Sequence, residues 1–87
     1  MSTLFEITWA PAAARQFRKL DRAAQEQIRR TLVILRETPR PPRAIKLVGG
    51  EGEWRLRTGD YRIVYDINDR ELIVLVVRVG NRRDIYR

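Results

Sequence analysis

The chain has 87 residues, a net charge of +7 from 18 Lys and Arg against 11 Asp and Glu, and neither His nor Cys. The missing Cys excludes a disulfide framework, a thiolate metal site and a cysteine nucleophile. The missing His removes the usual acid–base group near neutral pH and any serine–histidine triad. Chemistry is left to Arg, Lys, Tyr, Asp and Glu.

This length holds one small domain, residues 1–87. No apolar run approaches the ~20 residues a membrane span needs. The start, Met1 to Glu6, lacks a basic segment followed by an apolar one, so a cytoplasmic protein without membrane contact is expected. Gly49, Gly50 and Gly52 lack the spacing of a phosphate loop. All the basic residues except Lys19 and Lys46 are arginine, whose planar fork suits phosphate. So basic a small domain carries the electrostatic footprint of a nucleic-acid or ribosome binder.

Leu4 to Trp9 alternates apolar and polar and predicts a first strand. Pro11 suits the first turn of a helix running through Ala12 to Leu20, with Ala13, Phe17 and Leu20 on one face. Asp21 is an N-cap for a second helix reaching about Thr38. Ala24, Ile28, Leu32 and Leu35 share its inner face, and Arg22, Arg29, Arg30 and Arg36 lie around the other. The two helices are expected to form an antiparallel hairpin. Pro39, Pro41 and Pro42 stop the second helix. Ala44 to Val48 reads as a short extended piece before the glycine turn.

Three strands follow: Trp54 to Thr58, Tyr61 to Ile67, and Leu72 to Val79, separated by turns at Gly59-Asp60 and Asn68 to Arg70. The last is nearly all apolar, which predicts a central strand covered on both faces and broken by Gly80-Asn81. The order β-α-α-β-β-β predicts an α+β fold, a helical hairpin packed on one face of a small, mostly antiparallel sheet.

Strand alternation turns Trp54, Leu56 and Thr58 to one face and Arg55 and Arg57 to the other. Tyr61, Ile63, Tyr65 and Ile67 share a face, and Arg62, Val64 and Asp66 share the opposite one. Arg55 or Arg57 then converges with a solvent-facing Arg62 on the helix-free face. Arg78, Arg82, Arg83 and Tyr86 follow closely in sequence. The result is a basic surface with an aromatic hydroxyl at its rim. Taken singly, each strand arginine reads as a solvated charge, the helical arginines as a solvated face, and Trp54 as core rather than a base-stacking platform. Converged, they suit RNA phosphodiester chemistry, because RNA brings its own nucleophile, the 2′-OH, and arginine forks can stabilise the phosphorane. No metal or other cofactor is called for. Arginine stays protonated, so the general base falls to Asp60, Glu53 or a Tyr86 acidified by neighbouring arginines.

At these residues the sequence resembles the RelE/ParE superfamily of bacterial toxin–antitoxin toxins. The resemblance runs along nearly the whole chain and is strongest in Glu53 to Arg57, Gly59 to Tyr65 and Val79 to Tyr86, with Lys46-Leu47 before the glycines also fitting. It implies a type II toxin that enters the ribosomal A site and cuts mRNA through 2′-OH attack. Position by position, it implies that Arg62 stabilises the phosphate and that Arg82 is the arginine after the last strand. Tyr86 then works on the 2′-OH or the stacked base, and Arg55 stands where some members carry lysine. Asp60 stands where some members carry a catalytic carboxylate, while Lys46, Arg57, Arg78 and Arg83 are expected to contact RNA. Glu53 and Asn81 depart from the lysine and histidine found in relatives. The partners implied are the ribosome, mRNA and a cognate RelB-like antitoxin in a hetero-oligomer. That antitoxin would present an acidic or amphipathic segment covering the basic site or the helical hairpin. A ParE-like toxin that inhibits DNA gyrase by binding is the alternative.

Overall fold

The computed structural model describes residues 3–49 and 52–81. Its elements are β1 (Glu6–Trp9), α1 (Pro11–Arg18), α2 (Arg22–Glu37), β2 (Ile45–Lys46), β3 (Trp54–Thr58), β4 (Tyr61–Asn68) and β5 (Ile73–Asn81). The five strands form one sheet in the order β1-β5-β4-β3-β2. β1 runs parallel to β5, and every other pair is antiparallel. The α+β arrangement read from the sequence is the arrangement found, with the short extended piece joining the sheet as β2.

The helices follow their local chemistry. Pro11 opens α1, where its missing N–H costs nothing. The Asp21 carboxylate accepts the Ala24 N–H at 2.8 Å and caps α2. Ala13 from α1 and Ile28, Leu32 and Leu35 from α2 enter one core with Phe5, Leu56, Ile63, Tyr65, Val74, Val76 and Val79. That core lies between the helices and one face of the sheet. No described helix is long and apolar enough to cross a membrane.

The turns are equally specific. Gly59, at φ 61°, takes the left-handed position of the β3–β4 hairpin, and a Cβ there would also meet the Gln27 side-chain amide. Leu72 adopts φ 59°, uncommon for leucine, and its carbonyl accepts the Glu6 N–H at 2.8 Å, starting the parallel ladder.

Two expectations about β5 are corrected. The strand is not covered on both faces: Val74, Val76 and Val79 are buried, whereas Ile73, Leu75 and Val77 on the helix-free side keep partial exposure. No second layer lies over that side among the described residues, so an apolar run this long marks the strand's position beside β4, not double burial. Nor do Gly80-Asn81 break the strand, since Gly80 pairs with Arg62 and Asn81 with Tyr61. The inward residues depart from simple alternation because of a β-bulge. Val64 pairs with Arg78 and Tyr65 with Val76, leaving Val77 as the extra residue. The bulge turns Val79 into the core and Arg78 and Gly80 to the helix-free side.

Tyr65 is fully buried, and its hydroxyl donates to the Pro39 carbonyl at 2.8 Å, tying the proline connection to the sheet. Burial pushes its phenol up to about 12. The unfolded phenol titrates near 10, so this group's stabilisation is complete below about pH 10 and is lost as pH rises towards 12. Tyr65→Phe should cost about 1 kcal/mol at pH 7 from the lost hydrogen bond. Denaturant unfolding at pH 9 and 11 should show the wild type losing more stability than the variant. Equal losses would contradict a buried, protonated phenol.

Candidate nucleic-acid interface

The helix-free face of β3, β4 and β5 is laid out by the strand register. Arg57 stands opposite Arg62, and Arg62 opposite Gly80. One step along, Arg55 stands opposite Val64, and Val64 opposite Arg78. Four of these six neighbouring positions are arginine, and neither of the others is acidic. Further down the sheet the face changes character: Asp66 pairs with Leu75, which pairs with Thr8, and Ile73 pairs with Asn68 and Glu6. The face is therefore basic at one end and apolar to acidic at the other.

Arg57 and Arg78 are exposed, whereas Arg55 and Arg62 are half-buried. The expectation of a solvent-facing Arg62 is corrected here, because its Nε and Nη1 are buried. Buried guanidinium atoms are expensive to place and correspondingly fixed in direction. Arg57 donates from Nε to the Gly59 carbonyl at 3.3 Å, which bends its side chain towards the hairpin turn. Val64 is only 1% exposed although it lies on this face. Arginines at 55, 62 and 78 surround it, and their aliphatic stems suit such a cover.

The other candidates are placed differently. Asp60 is exposed in the turn next to Tyr61. Glu53 is half-buried just before β3. Lys46 pairs with Trp54, so alternation sets it on the helix side of the sheet, away from the arginines. Trp54 packs against the core as the ordinary reading had it, with the Arg40 guanidinium 5.5 Å from its ring centre. Arg40 also forks onto Asp69 at 2.7 and 3.0 Å, and this contact holds the Asp69 carboxyl below its usual range. Nothing in the sequence singles out Arg40. Arg82, Arg83 and Tyr86 lie outside the described residues.

The helix layer carries a second feature. An apolar groove of about 590 Å³ runs between α1, α2 and β1, lined by Ile7, Trp9, Phe17, Leu32 and Val33 and bordered by Arg18, Arg29 and Arg36. Trp9 and Phe17 meet at 4.9 Å, and Arg29 stands 5.3 Å from the Phe17 ring centre. An apolar floor with a cationic border is the surface an amphipathic, acidic segment would match.

The sequence profile of the ParE toxin of the type II toxin–antitoxin system parDE matches residues 7–86. The mRNA interferase toxin RelE of Escherichia coli K12 is 38% identical over 72 residues, covering 80% of this chain and 75% of that protein. The crystal structure of the intact Escherichia coli RelBE toxin–antitoxin complex contains a chain that superposes with a TM-score of 0.76 at 32% identity, covering 88% of this chain and 95% of that one. The isolated Escherichia coli RelE toxin superposes with a TM-score of 0.78 at 29% identity, covering 94% and 90%. The chain belongs to the RelE/ParE superfamily of type II toxin–antitoxin toxins. Within that class its sequence is RelE-like.

Two arginines directly opposite each other weaken a strand pair, by roughly 0.2–1 kcal/mol. Arg57→Thr should therefore raise the thermal midpoint by about 1–5 °C. Added salt should narrow the difference in midpoint by screening the arginines. Calorimetry at low and high salt checks this, and a variant less stable than the wild type would contradict like-charge crowding on the face.

Proposed function

We propose that this toxin is a ribosome-dependent mRNA endoribonuclease that cuts A-site mRNA through attack of the 2′-OH on the adjacent phosphate. The observation that carries the reading is the concentration of Arg55, Arg57, Arg62 and Arg78 on one face of three adjacent strands. The name of the 38% identical relative, an mRNA interferase, supports it.

In this reading the 2′-OH loses its proton as its oxygen bonds to phosphorus, and the 5′ oxygen of the next nucleotide leaves and takes up a proton. The phosphorane gains negative charge, and the fixed guanidinium of Arg62 is set to stabilise it. Arg55, Arg57 and Arg78 hold the flanking backbone, and Arg83 extends that contact. Arg82 adds charge at the cleaved phosphate, and Tyr86 orients the 2′-OH or the stacked base. Asp60 is assigned as the base that takes the proton. Lys46, on the other side of the sheet, is assigned to backbone outside the cleaved codon. The RNA supplies the nucleophile and the arginines supply the charge, so the reading calls for no metal.

The partner proposed is a RelB-like antitoxin in a toxin–antitoxin hetero-oligomer, since the matching complexes pair RelE chains with RelB. The arginine-bordered groove suits an acidic amphipathic segment of such a partner. A cytoplasmic site of action follows from the ribosomal target.

The second reading, gyrase inhibition by binding, draws on the ParE name of the matching family. Primer-extension mapping of mRNA ends after brief induction separates the two. The nuclease reading expects cuts in register with codons that require translation, falling about 100-fold or more in Arg62→Gln. Intact mRNA with a DNA-damage response would overturn it in favour of gyrase.

A further inference from the structure

β1 accompanies β5 only from Ile73 to Val76, and the Ala10 N–H to the Val76 carbonyl, at 2.8 Å, closes that ladder. The chain then turns into α1 at Pro11. Beyond Val76 this edge of β5 has no neighbouring strand among the described residues, yet β5 continues to Asn81. An edge left this way presents backbone groups that need partners. At Val79 the partner is a side chain: the N–H donates to Oε1 of Gln16, from α1, at 3.0 Å. Sixty-three residues separate the two, so this hydrogen bond ties the start of the chain to the end of the sheet.

Its location matters for the arginine face. Val79 lies between Arg78 and Gly80, the two β5 positions on that face, and just past the extra residue Val77. Moving a bulge along a strand re-aims the residues it passes, and losing it shifts everything beyond by one residue and so exchanges the two faces there. In the observed register Val79 points inward and Arg78 points to the arginines. Gln16 holds the Val79 amide in that register.

We infer that Gln16 is a positioning residue for the site: its side-chain carbonyl accepts the Val79 N–H as a neighbouring strand would and keeps Arg78 aimed at RNA. The inference rests on the assignment of the arginine face to RNA cleavage. Gln16 touches no substrate and acts through Val79. Displacements of about an ångström at a reacting centre can cost a hundredfold in rate, and Arg78 is one of several contacts, so a smaller loss is expected.

The test uses the full-length toxin, freed of its antitoxin, on ribosomes carrying a defined mRNA. Gln16→Met keeps the length of the side chain and removes the acceptor, whereas Gln16→Glu restores an acceptor. The Met variant should exchange its Val79 amide at least tenfold faster, shift the Arg78 Nε–H nuclear resonance, and cut about tenfold more slowly at saturation. Its half-saturating concentration should hardly move, and the Glu variant should recover all three properties. Wild-type cutting in a Met variant whose Val79 amide exchanges faster would overturn the inference. Should the wild-type toxin cut no mRNA, the nuclease reading fails by itself, and the Arg78 resonance still decides. A shift that reverses in the Glu variant upholds the positioning role, and an unmoved resonance refutes it.

Discussion

Arg57 and Arg62 face each other across two hydrogen-bonded strands, with Arg55 and Arg78 one step away. The rest of the fold has to hold these cations together. Apart from the covered Val64, the strands draw little cohesion from that end of the face, so they draw it from the other face. Leu56, Ile63, Tyr65, Val76 and Val79 are buried against Ile28, Leu32 and Leu35 of α2 and Ala13 of α1. At roughly 25 cal/mol per Å² of buried apolar surface, a few such side chains outweigh like-charge repulsion of about 1 kcal/mol. The sheet thus has one cohesive face and one charged face, and the second is tolerable only because of the first.

That division accounts for the layout of the molecule. Both helices sit on the cohesive side and leave the arginines open to a large anion. The helix side also keeps an apolar groove bordered by Arg18, Arg29 and Arg36, so a partner can engage the toxin without occupying the arginine face. A type II toxin needs two such properties, an activity and a surface by which the activity is restrained. Regulation by a partner on the helix side would reach the arginine face through α1, whose Gln16 contacts Val79.

Much of this was legible in the sequence, for physical reasons. The inner faces of both helices follow from their 3.6-residue spacing, and Ala13, Ala24, Ile28, Leu32 and Leu35 are all buried. The clean alternation in β3 and β4 put Arg55, Arg57 and Arg62 on one face, as the register has them. β5 is less legible, because a run of leucine, isoleucine and valine carries no period to show which side faces in. The bulge at Val77 is invisible for the same reason, since Val76 before it and Val79 two residues after it are also valine. Gly80 reads in sequence as a breaker, but it stands opposite Arg62, where a strand can use a residue without a side chain. Charge and the family resemblance group Lys46 with the arginines, and only the pairing of β2 with β3 shows which side it takes. Hydrogen bonds such as Gln16 to Val79 and Tyr65 to Pro39 link residues far apart in the chain, and no local pattern announces them.

In the proposed mechanism the RNA supplies the nucleophile and the toxin supplies fixed positive charge. The most direct measurement replaces the 2′-OH at the cleaved nucleotide of the A-site codon with hydrogen and follows cutting on programmed ribosomes. Loss of cutting at that bond, together with 2′,3′-cyclic phosphate and 5′-hydroxyl ends on the unmodified mRNA, is the predicted result. Continued cutting of the deoxy-substituted codon would mean that water or a protein group is the nucleophile, and would contradict the account.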